Sequence, residues 1–235
     1  MTDENHGQHA QQSNQRRETP GRGVRPTAEP IDAAAPDELG LVQAWYGDGK
    51  GKTTAALGMA FRAAGHGYRV HVLQFMKGGA DSVEATRGEY NAIARMPGIT
   101  YENSGHYGWH GLLDGSSDDE HAATAGAAFE RAGQLVDASV EADLSEPLEL
   151  DGDPEAGVHM LVLDEVLYAV SRGLVDGDDL CALIDSRPEG LELVLTGGHE
   201  RPTYLDGRVD LLSHVSADRH PFEADGQRAR KGTEY

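Results

Sequence analysis

The glycine-rich loop at residues 47–54 constrains the fold of this chain more than any other segment. It reads G-D-G-K-G-K-T-T, follows the apolar run 41–46 and precedes residues 55–61, whose composition is typical of a helix. Glycines let successive backbone N–H groups converge on an anion, the helix N-terminus adds partial positive charge, and Lys52 adds a full charge. The order of strand, loop and helix therefore predicts a site for a nucleoside triphosphate.

The loop is one residue shorter than the usual G-x-x-x-x-G-K-[ST] phosphate loop. Tyr46 stands where that pattern has its first glycine. A tight turn without a ligand is the alternative, but a lysine and two threonines at a helix start argue against it. The shortening leaves open which phosphates the loop holds.

Apolar runs of strand length recur along the chain, with helical stretches between them. They occupy residues 41–46, 70–75, 99–103, 160–163, 191–196 and 211–216. This alternation predicts an α/β fold with a mostly parallel central sheet and helices on both faces. Ligands of such folds bind at the carboxyl ends of the strands.

The remaining segments, the single cysteine and the histidines suggest structural roles. Residues 117–143 are predicted to form one long helix, and the acidic, turn-rich stretch 144–157 is expected to be a surface loop. Cys181 is the only cysteine and lies at helical spacing, so we expect a buried thiol and no intramolecular disulfide. The eleven histidines follow no metal-binding pattern, which argues against a transition-metal site made by the protein alone.

Asp164 and Glu165 follow the apolar run 160–163 directly. A carboxylate at the end of a strand can hold Mg²⁺ against a triphosphate, as in Walker B elements. Carboxylates that merely cap the next helix are the alternative. A phosphate loop in the same predicted sheet favours the metal-binding interpretation.

The chain carries a formal net charge of −20, with 40 acidic residues and 20 basic ones. Only four residues are lysines, namely Lys50, Lys52, Lys77 and Lys231. Self-repelling carboxylates need salt to screen them, so we expect a halophilic source, with an ordinary acidic protein as the alternative. The absence of a basic stripe argues against nucleic acid as a partner.

Residues 1–38 are polar, lack apolar periodicity and have no signal-peptide core, which predicts a disordered N-terminal tail. Residues 39–235 are long enough for one α/β domain. No segment is apolar enough to span a membrane. We therefore expect a soluble, cytoplasmic protein.

Seven motifs together resemble the P-loop type of corrinoid (cob(I)alamin) adenosyltransferase, and they extend over nearly everything after the tail. They are G-D-G-K-G-K-T-T-A-A-L-G at 47–58, A-x-G-H-G at 63–67, V-L-Q-F-M-K-G at 72–78, G-x-Y-G-W at 105–109, L-V-L-D-E-V-L-Y at 161–168, V-L-T-G at 194–197, and H-P-F-E-A at 220–224 with a closing K-G-T-E-Y at 231–235. Their order and spacing are more distinctive than any one of them. The resemblance implies a P-loop NTPase-like (RecA-like) fold.

The resemblance also implies a transferase reaction. Co(I) of a reduced corrinoid attacks the 5′ carbon of ATP, forms a Co–C bond and releases the whole triphosphate, in adenosylcobalamin biosynthesis or salvage. ATP in this family lies reversed, with the loop around the terminal phosphate. An electron donor such as a flavoprotein reductase and a homodimeric state are further implications. A P-loop ATPase or kinase acting on a small molecule, or a carrier without turnover, are the alternatives from the residues alone.

Site residues follow from the resemblance by position. The triphosphate would contact Gly47, Asp48, Gly49, Lys50, Gly51, Lys52, Thr53 and Thr54. Thr53 and Glu165 would hold Mg²⁺ with support from Asp164, and Lys52, Thr53 and Glu165 would form the catalytic set. Arg62 and Gln74 are further candidates for contacts with ATP.

The chain departs from the family pattern at two places. Relatives carry an F-x-W pair against the lower corrin face, which matches Tyr107 and Trp109 here, although His106 is inserted and tyrosine replaces phenylalanine. An aromatic loop that only covers the sheet edge is the alternative. Many relatives have arginine directly after T-G, whereas this chain has Gly198, so Arg201 would substitute in contacting ATP. The closing residues 220–235 are expected to fold over the site.

Overall fold

The computed structural model describes residues 27–76, 88–104 and 118–219, together with residues 224, 226, 227, 230, 232 and 233. The chain divides into two units, Met1–Pro30 and Ile31–Tyr235, and all helices and strands of the described ranges lie in the second. The described part of the chain has six strands: β1 (Val42–Tyr46), β2 (Val70–Phe75), β3 (Ile99–Ser104), β4 (Met160–Asp164), β5 (Glu192–Thr196) and β6 (Leu211–His214). The five helices within these ranges are α1 (Lys52–Gly65), α2 (Gly88–Ile93), α3 (Asp118–Glu141), α4 (Val166–Ser171) and α5 (Gly177–Ser186).

The six strands form one sheet in the order β3-β2-β4-β5-β1-β6, and every neighbouring pair is parallel. Parallel neighbours require a crossover between them, which the intervening helices supply. The prediction of a largely parallel sheet with helices on both faces is confirmed. The first strand of the sequence lies between β5 and β6, so the loop after β1 borders residues that follow both of these strands.

The sheet separates two apolar clusters. One cluster packs α1 and α2 against one face, and α1 approaches closely because its buried positions are all alanine: Ala56, Ala60, Ala63 and Ala64. The other cluster packs α3, α4 and α5 against the opposite face. Cys181 on α5 is 6% exposed and unbridged, as predicted. Both faces of β2, β4 and β5 are therefore buried, which explains their nearly continuous apolar runs.

Buried polar residues lie at the ends of the central strands. Gln74, Asp164 and Thr196 stand at or next to the carboxyl ends of β2, β4 and β5, and each is at most 1% exposed. Buried polar groups require hydrogen-bond partners, so a cluster of three at one edge of a sheet marks a site rather than a core. This edge is the one at which the sequence predicts ligand binding.

The stretch 144–157 is irregular apart from the short 3₁₀ turn Pro154–Ala156, in agreement with the predicted loop. It is fixed to the body by Arg69, which is 1% exposed and donates to the carbonyl oxygens of Leu150 and Gly152. Burial lowers the pKa of Arg69, while Asp151 and Asp153 oppose that effect. Arg69 therefore holds this segment against the amino end of β2.

Part of the predicted tail contacts the sheet domain. The backbone N–H of Ala34 donates to the carbonyl oxygen of Gly67 at 3.0 Å, in the turn between α1 and β2. The division of the chain at residues 38 and 39 stays a prediction. Among the residues that the structure describes, no helix is both long and apolar enough to cross a membrane.

Candidate active site

The loop between β1 and α1 is shaped by close backbone contacts. The N–H groups of Gly47 and Gly49 donate to the carbonyl oxygens of Gly198 (3.0 Å) and Val215 (2.9 Å). A Cβ atom on Gly47 would lie 2.1 Å from Val215 O, and one on Gly49 would lie 2.7 Å from the carbonyl carbon of Ser216. Glycine is required at both positions because the loop packs directly on neighbouring backbone. These two N–H groups are therefore committed to protein carbonyls.

Tyr46, which replaces the first glycine of the usual loop, is the last residue of β1. Its ring stacks on His214, the register partner at the end of β6, with ring centroids 4.9 Å apart. An aromatic pair of this kind adds stability beyond its buried area. The short loop thus begins from a strand end that the edge strand braces.

Lys52 opens α1 and folds back into the loop. Its Nζ donates to the carbonyl oxygens of Gly47 (2.6 Å) and Gly49 (2.9 Å). Gly51, with φ 112°, directly precedes the helix and makes no side-chain cap. The ammonium group is consequently held inside the loop, beside a helix N-terminus that attracts anions.

A cavity of about 410 Å³ opens at this loop. It is lined by Asp48, Gly49, Lys50, Gly51, Lys52, Thr53, Thr54, Glu165, Tyr168, Gly198, His199 and Thr233. Seven of the eight predicted triphosphate contacts and the predicted metal ligand Glu165 therefore surround one space. Gly47, the first residue of the loop, is outside that lining.

Asp164 connects the loop to the sheet. This carboxylate is fully buried and accepts hydrogen bonds from Thr53 Oγ1 (2.9 Å), Thr196 Oγ1 (2.6 Å) and Gln74 Nε2 (3.1 Å). Thr196 Oγ1 also accepts the backbone N–H of Glu165 at 3.0 Å. Three donors compensate for the burial of a charged group and hold Asp164 in one orientation.

Glu165 has a left-handed backbone, with φ 66° and ψ 12°. It occupies the N-cap position of α4, yet its side chain makes no capping hydrogen bond, which removes the helix-capping interpretation for this carboxylate. Gly197 makes this conformation possible, since a Cβ there would lie 2.8 Å from Tyr168 N and 2.9 Å from Glu165 Oε2. A non-glycine residue in this region costs about 1–3 kcal/mol, and such strain clusters at functional sites.

The oxygen donors present here suit a small divalent cation. Thr53 and Glu165 line the cavity, and Asp164 lies directly behind Thr53. Mg²⁺ is usually held by one or two carboxylates together with phosphate oxygens and water rather than by a complete protein cage. No group of three or more His, Cys, Asp or Glu residues that could hold a metal ion occurs within the described ranges. The donor set fits a cation that arrives with a triphosphate.

Two predicted ATP contacts lie elsewhere in this structure. Arg62 is exposed in the last turn of α1, ten residues beyond Lys52, which is about 15 Å along a helix axis. Arg201 makes a bidentate ion pair with Asp206 at 2.6 Å and 3.0 Å, and this hydrogen bonding raises the pKa of the guanidinium. The geometry brings neither guanidinium to the cavity at the loop.

Arg201 instead lines a second cavity of about 740 Å³ between α4, the start of α5 and residues 199–204. Tyr168 and His199 border both cavities, and their ring centroids are 5.8 Å apart. Burial raises the pKa of Tyr204, which also lines the second cavity, to about 12, so its phenol stays neutral.

Other predicted site residues lie outside the part of the chain that the structure describes. Tyr107 and Trp109, predicted to contact the corrinoid, lie in a stretch that the structure does not describe, as does Lys77 of the V-L-Q-F-M-K-G motif. Thr233 of the closing motif is described and lines the cavity at the loop.

Sequence reasoning assigned no role to four residues of this site: Thr196, Gly197, Tyr168 and His199. Thr196 and Gly197 belong to the V-L-T-G motif. Their position directly at the end of a buried strand is the sequence signal that could have identified them. Tyr168 follows Glu165 by three residues on a helix and thus faces the same cavity. For His199 no local signal exists, because its place depends on contact with another element.

Comparison with known proteins gives a consistent result. The sequence profile of the family described as "ATP:corrinoid adenosyltransferase BtuR/CobO/CobP" matches residues 38–235. A corrinoid adenosyltransferase of Pseudomonas aeruginosa is 34% identical over 204 residues, which cover 86% of this chain and 87% of the relative. The corresponding proteins of Salmonella typhimurium and Escherichia coli K12 are 28% and 27% identical, each over 86% of this chain and 89% of the relative.

Proposed function

Because this chain belongs to the ATP:corrinoid adenosyltransferase family, we propose that it transfers the 5′-deoxyadenosyl group of ATP to the cobalt of a reduced corrinoid. The Co(I) electron pair forms the Co–C bond, the C5′–O bond breaks, and inorganic triphosphate leaves with the electron pair of the broken C5′–O bond. The observation that carries the proposal is the family match over residues 38–235, which includes the phosphate loop and the carboxylates behind it. The product belongs to cobalamin biosynthesis.

The loop residues would stabilise the departing triphosphate. Lys52, whose Nζ donates to the carbonyl oxygens of Gly47 and Gly49, can exchange these bonds for bonds to oxygens of the departing triphosphate. Charge grows on the triphosphate as the C5′–O bond breaks, so donors placed beforehand stabilise the transition state more than the ground state. A loop that holds the terminal phosphate leaves C5′ directed away from it, toward the corrinoid.

Thr53 and Glu165 would hold Mg²⁺, with Asp164 positioned behind them. When bound, the cation supplies positive charge to the phosphate oxygens. The protein contributes a half-buried hydroxyl and a half-buried carboxylate on a fixed frame, since Thr53 is hydrogen-bonded to Asp164 and Glu165 is bonded through its N–H to Thr196. The strained backbone of Glu165 supports this role.

The corrinoid would contact Tyr107 and Trp109, by position in the family pattern. Apolar contact with the lower corrin face removes the axial ligand and makes reduction to Co(I) easier. Thr233 at the cavity supports the proposal that residues 220–235 close over the site. The proposal also includes an electron donor such as a flavoprotein reductase, a homodimeric state and a salt-rich cytoplasm.

The test is an anaerobic incubation of the protein with chemically reduced cob(I)alamin, ATP and Mg²⁺ at high salt. We expect the absorbance change of cobalt alkylation and one triphosphate per Co–C bond. A P-loop ATPase or kinase would instead form ADP without any need for corrinoid. A pure carrier would bind both ligands without forming either product. ADP as the nucleotide product would overturn the proposal.

A further inference from the structure

Gln74 has an unmet hydrogen-bonding group next to Asp164, at the edge of the sheet that carries the site. It is 1% exposed at the carboxyl end of β2 and is the register partner of Asp164 on β4. Its Nε2 donates to Asp164 Oδ2 at 3.1 Å, whereas its Oε1 is buried and finds no hydrogen-bond partner among the described residues. Leaving a buried acceptor unmet costs about 1–3 kcal/mol. The position thus requires a donor that the described protein does not provide.

The orientation of the amide follows from its neighbour. An ionised carboxylate only accepts hydrogen bonds, and Asp164 already receives Thr53 and Thr196 on Oδ1. Rotating the amide by 180° would set Oε1 against Oδ2 and lose the hydrogen bond from the Gln74 side chain to Asp164. The nitrogen of Gln74 therefore faces Asp164, and the oxygen faces away from it.

We propose that Gln74 Oε1 accepts a hydrogen bond from a water molecule bound to the divalent cation, which makes Gln74 a positioning residue for that cation. The inference rests on the proposed function, because it presumes that the cation binds with ATP at Thr53 and Glu165. Mg²⁺ keeps several of its waters when it binds, and such waters are strong donors. The same amide that orients Asp164 would then fix the hydration shell beside Thr53, which Asp164 also contacts.

The test uses Mn²⁺ as a paramagnetic substitute for Mg²⁺ and compares two identical substitutions. Gln74→Met keeps the length of the side chain and removes both polar atoms. Gln43→Met is the matched control, because Gln43 on β1 also donates to a buried carboxylate, that of Glu192. Glu192 begins β5, whereas Thr196, which contacts Asp164, ends it. Electron paramagnetic resonance measures Mn²⁺ affinity of the protein–ATP complex, and calorimetry in a chelator measures metal-free ATP affinity.

We expect Gln74→Met to weaken Mn²⁺ binding about tenfold, as loss of an outer-shell partner typically does. Metal-free ATP affinity should stay within about twofold, and Gln43→Met should change neither value by more than that. A second variant, Gln74→Glu, keeps an acceptor oxygen, because two adjacent carboxyl groups can share one proton. It should retain Mn²⁺ affinity within about threefold of the wild-type value and keeps the test available if Gln74→Met does not fold.

Two results would overturn the inference alone: Mn²⁺ affinity unchanged in Gln74→Met, or equal losses of Mn²⁺ and metal-free ATP affinity. The first would mean that an ordinary buried water meets the demand of Oε1, and the second that Gln74 only supports the fold. If the wild-type protein bound ATP but no Mn²⁺, the metal–triphosphate site of the proposed function would fail as well. The two failures are therefore distinguishable in the same titration.

Discussion

Thr196 donates a 2.6 Å hydrogen bond to Oδ1 of Asp164, and the two residues end adjacent parallel strands. The same hydroxyl oxygen accepts the backbone N–H of Glu165 at 3.0 Å. One buried hydroxyl thus orients both consecutive carboxylate residues of the proposed metal site. Because it uses its donor and its acceptor together, its rotation is fixed.

Thr196→Val removes this hydroxyl and nearly preserves shape. The buried carboxylate of Asp164 then loses one donor and the Glu165 N–H loses its acceptor, so the free energy of unfolding should fall by about 1–3 kcal/mol. The Mg²⁺ concentration for half-maximal turnover should rise about tenfold. Urea denaturation and a Mg²⁺ titration of adenosyl transfer measure the two effects. Thr196→Ser keeps the hydroxyl and should recover most of both, and equal behaviour of the two variants would refute the assignment.

Gly197→Ala should displace Glu165. The new Cβ would lie 3.0 Å or less from Tyr168 N and from Glu165 Oε2 and Cα, in addition to the cost of φ 112°. We expect a loss of about 3 kcal/mol in urea denaturation together with a strongly raised Mg²⁺ requirement. Gly207→Ala is the control, since Gly207 has φ 82° and nothing within 4 Å, so it carries only the backbone cost. The same loss in both variants would show that crowding at Gly197 is unimportant.

Lys52→Met should remove the charge held at the centre of the loop. Loss of one donor that acts on developing charge typically lowers turnover by about 10²–10³, and we expect a reduction in this range with the variant still folded. Arg95→Met is the matched control for removal of a surface cation, because Arg95 is exposed and its guanidinium donates to Asn91 O, four residues earlier in the chain. The rate of Co–C bond formation measures turnover. A decrease smaller than about threefold in Lys52→Met would contradict the proposed role of Lys52.

Much of the fold was accessible from local pattern. The strands from 160 and 191 were predicted within one residue of Met160–Asp164 and Glu192–Thr196, because continuous apolar runs of that length are typical of strands buried on both faces. The helix predicted at 117–143 is Asp118–Glu141. These elements need no knowledge of the rest of the chain, since period and length alone distinguish them.

The relationships that complete the site were not accessible in this way. The strand order places β5 beside β4, and only this order brings Thr196 to Asp164. Gln74 was expected to contact ATP, and the structure has its amide on Asp164. Arg201 has Asp206 five residues away, and nothing in the sequence decides between this pair and a phosphate. Contacts between elements distant in sequence depend on topology, which periodicity does not encode.

A buried histidine makes stability depend on pH. His71 lies on β2 with its side chain 1% exposed and its Nδ1 hydrogen-bonded to Thr100 Oγ1 at 2.9 Å, whereas its Nε2 makes no hydrogen bond among the described residues. Burial lowers the pKa of His71 to about 4, while Glu102, 3.8 Å from Nε2, opposes the shift and Arg131, Arg69 and Asp153 contribute smaller effects. Burial dominates because Arg131 already engages Glu102 with a 2.7 Å ion pair.

The sign of the effect follows from this lowered pKa. The unfolded chain binds a proton at His71 below its ordinary pKa of 6.5, whereas the folded chain resists until about pH 4. The contribution of His71 to the free energy of unfolding is therefore fully present above pH 6.5 and is lost as the pH falls toward 4. The lost amount is about 3 kcal/mol, from about 1.4 kcal/mol per pKa unit. The pKa of Glu102 is also lowered, chiefly by its hydrogen bond with Arg131, but its contribution is lost only below its ordinary value of 4.5.

Comparison of the wild type with His71→Gln separates the histidine from every other titrating group. Glutamine keeps a polar side chain that can bond Thr100 and does not titrate, so the difference in unfolding free energy between the two proteins should shrink by about 3 kcal/mol between pH 7 and pH 4. Urea denaturation at constant high salt measures it, because salt holds the repulsion among the many carboxylates constant. A difference that is independent of pH would show that His71 carries an ordinary pKa in the folded protein.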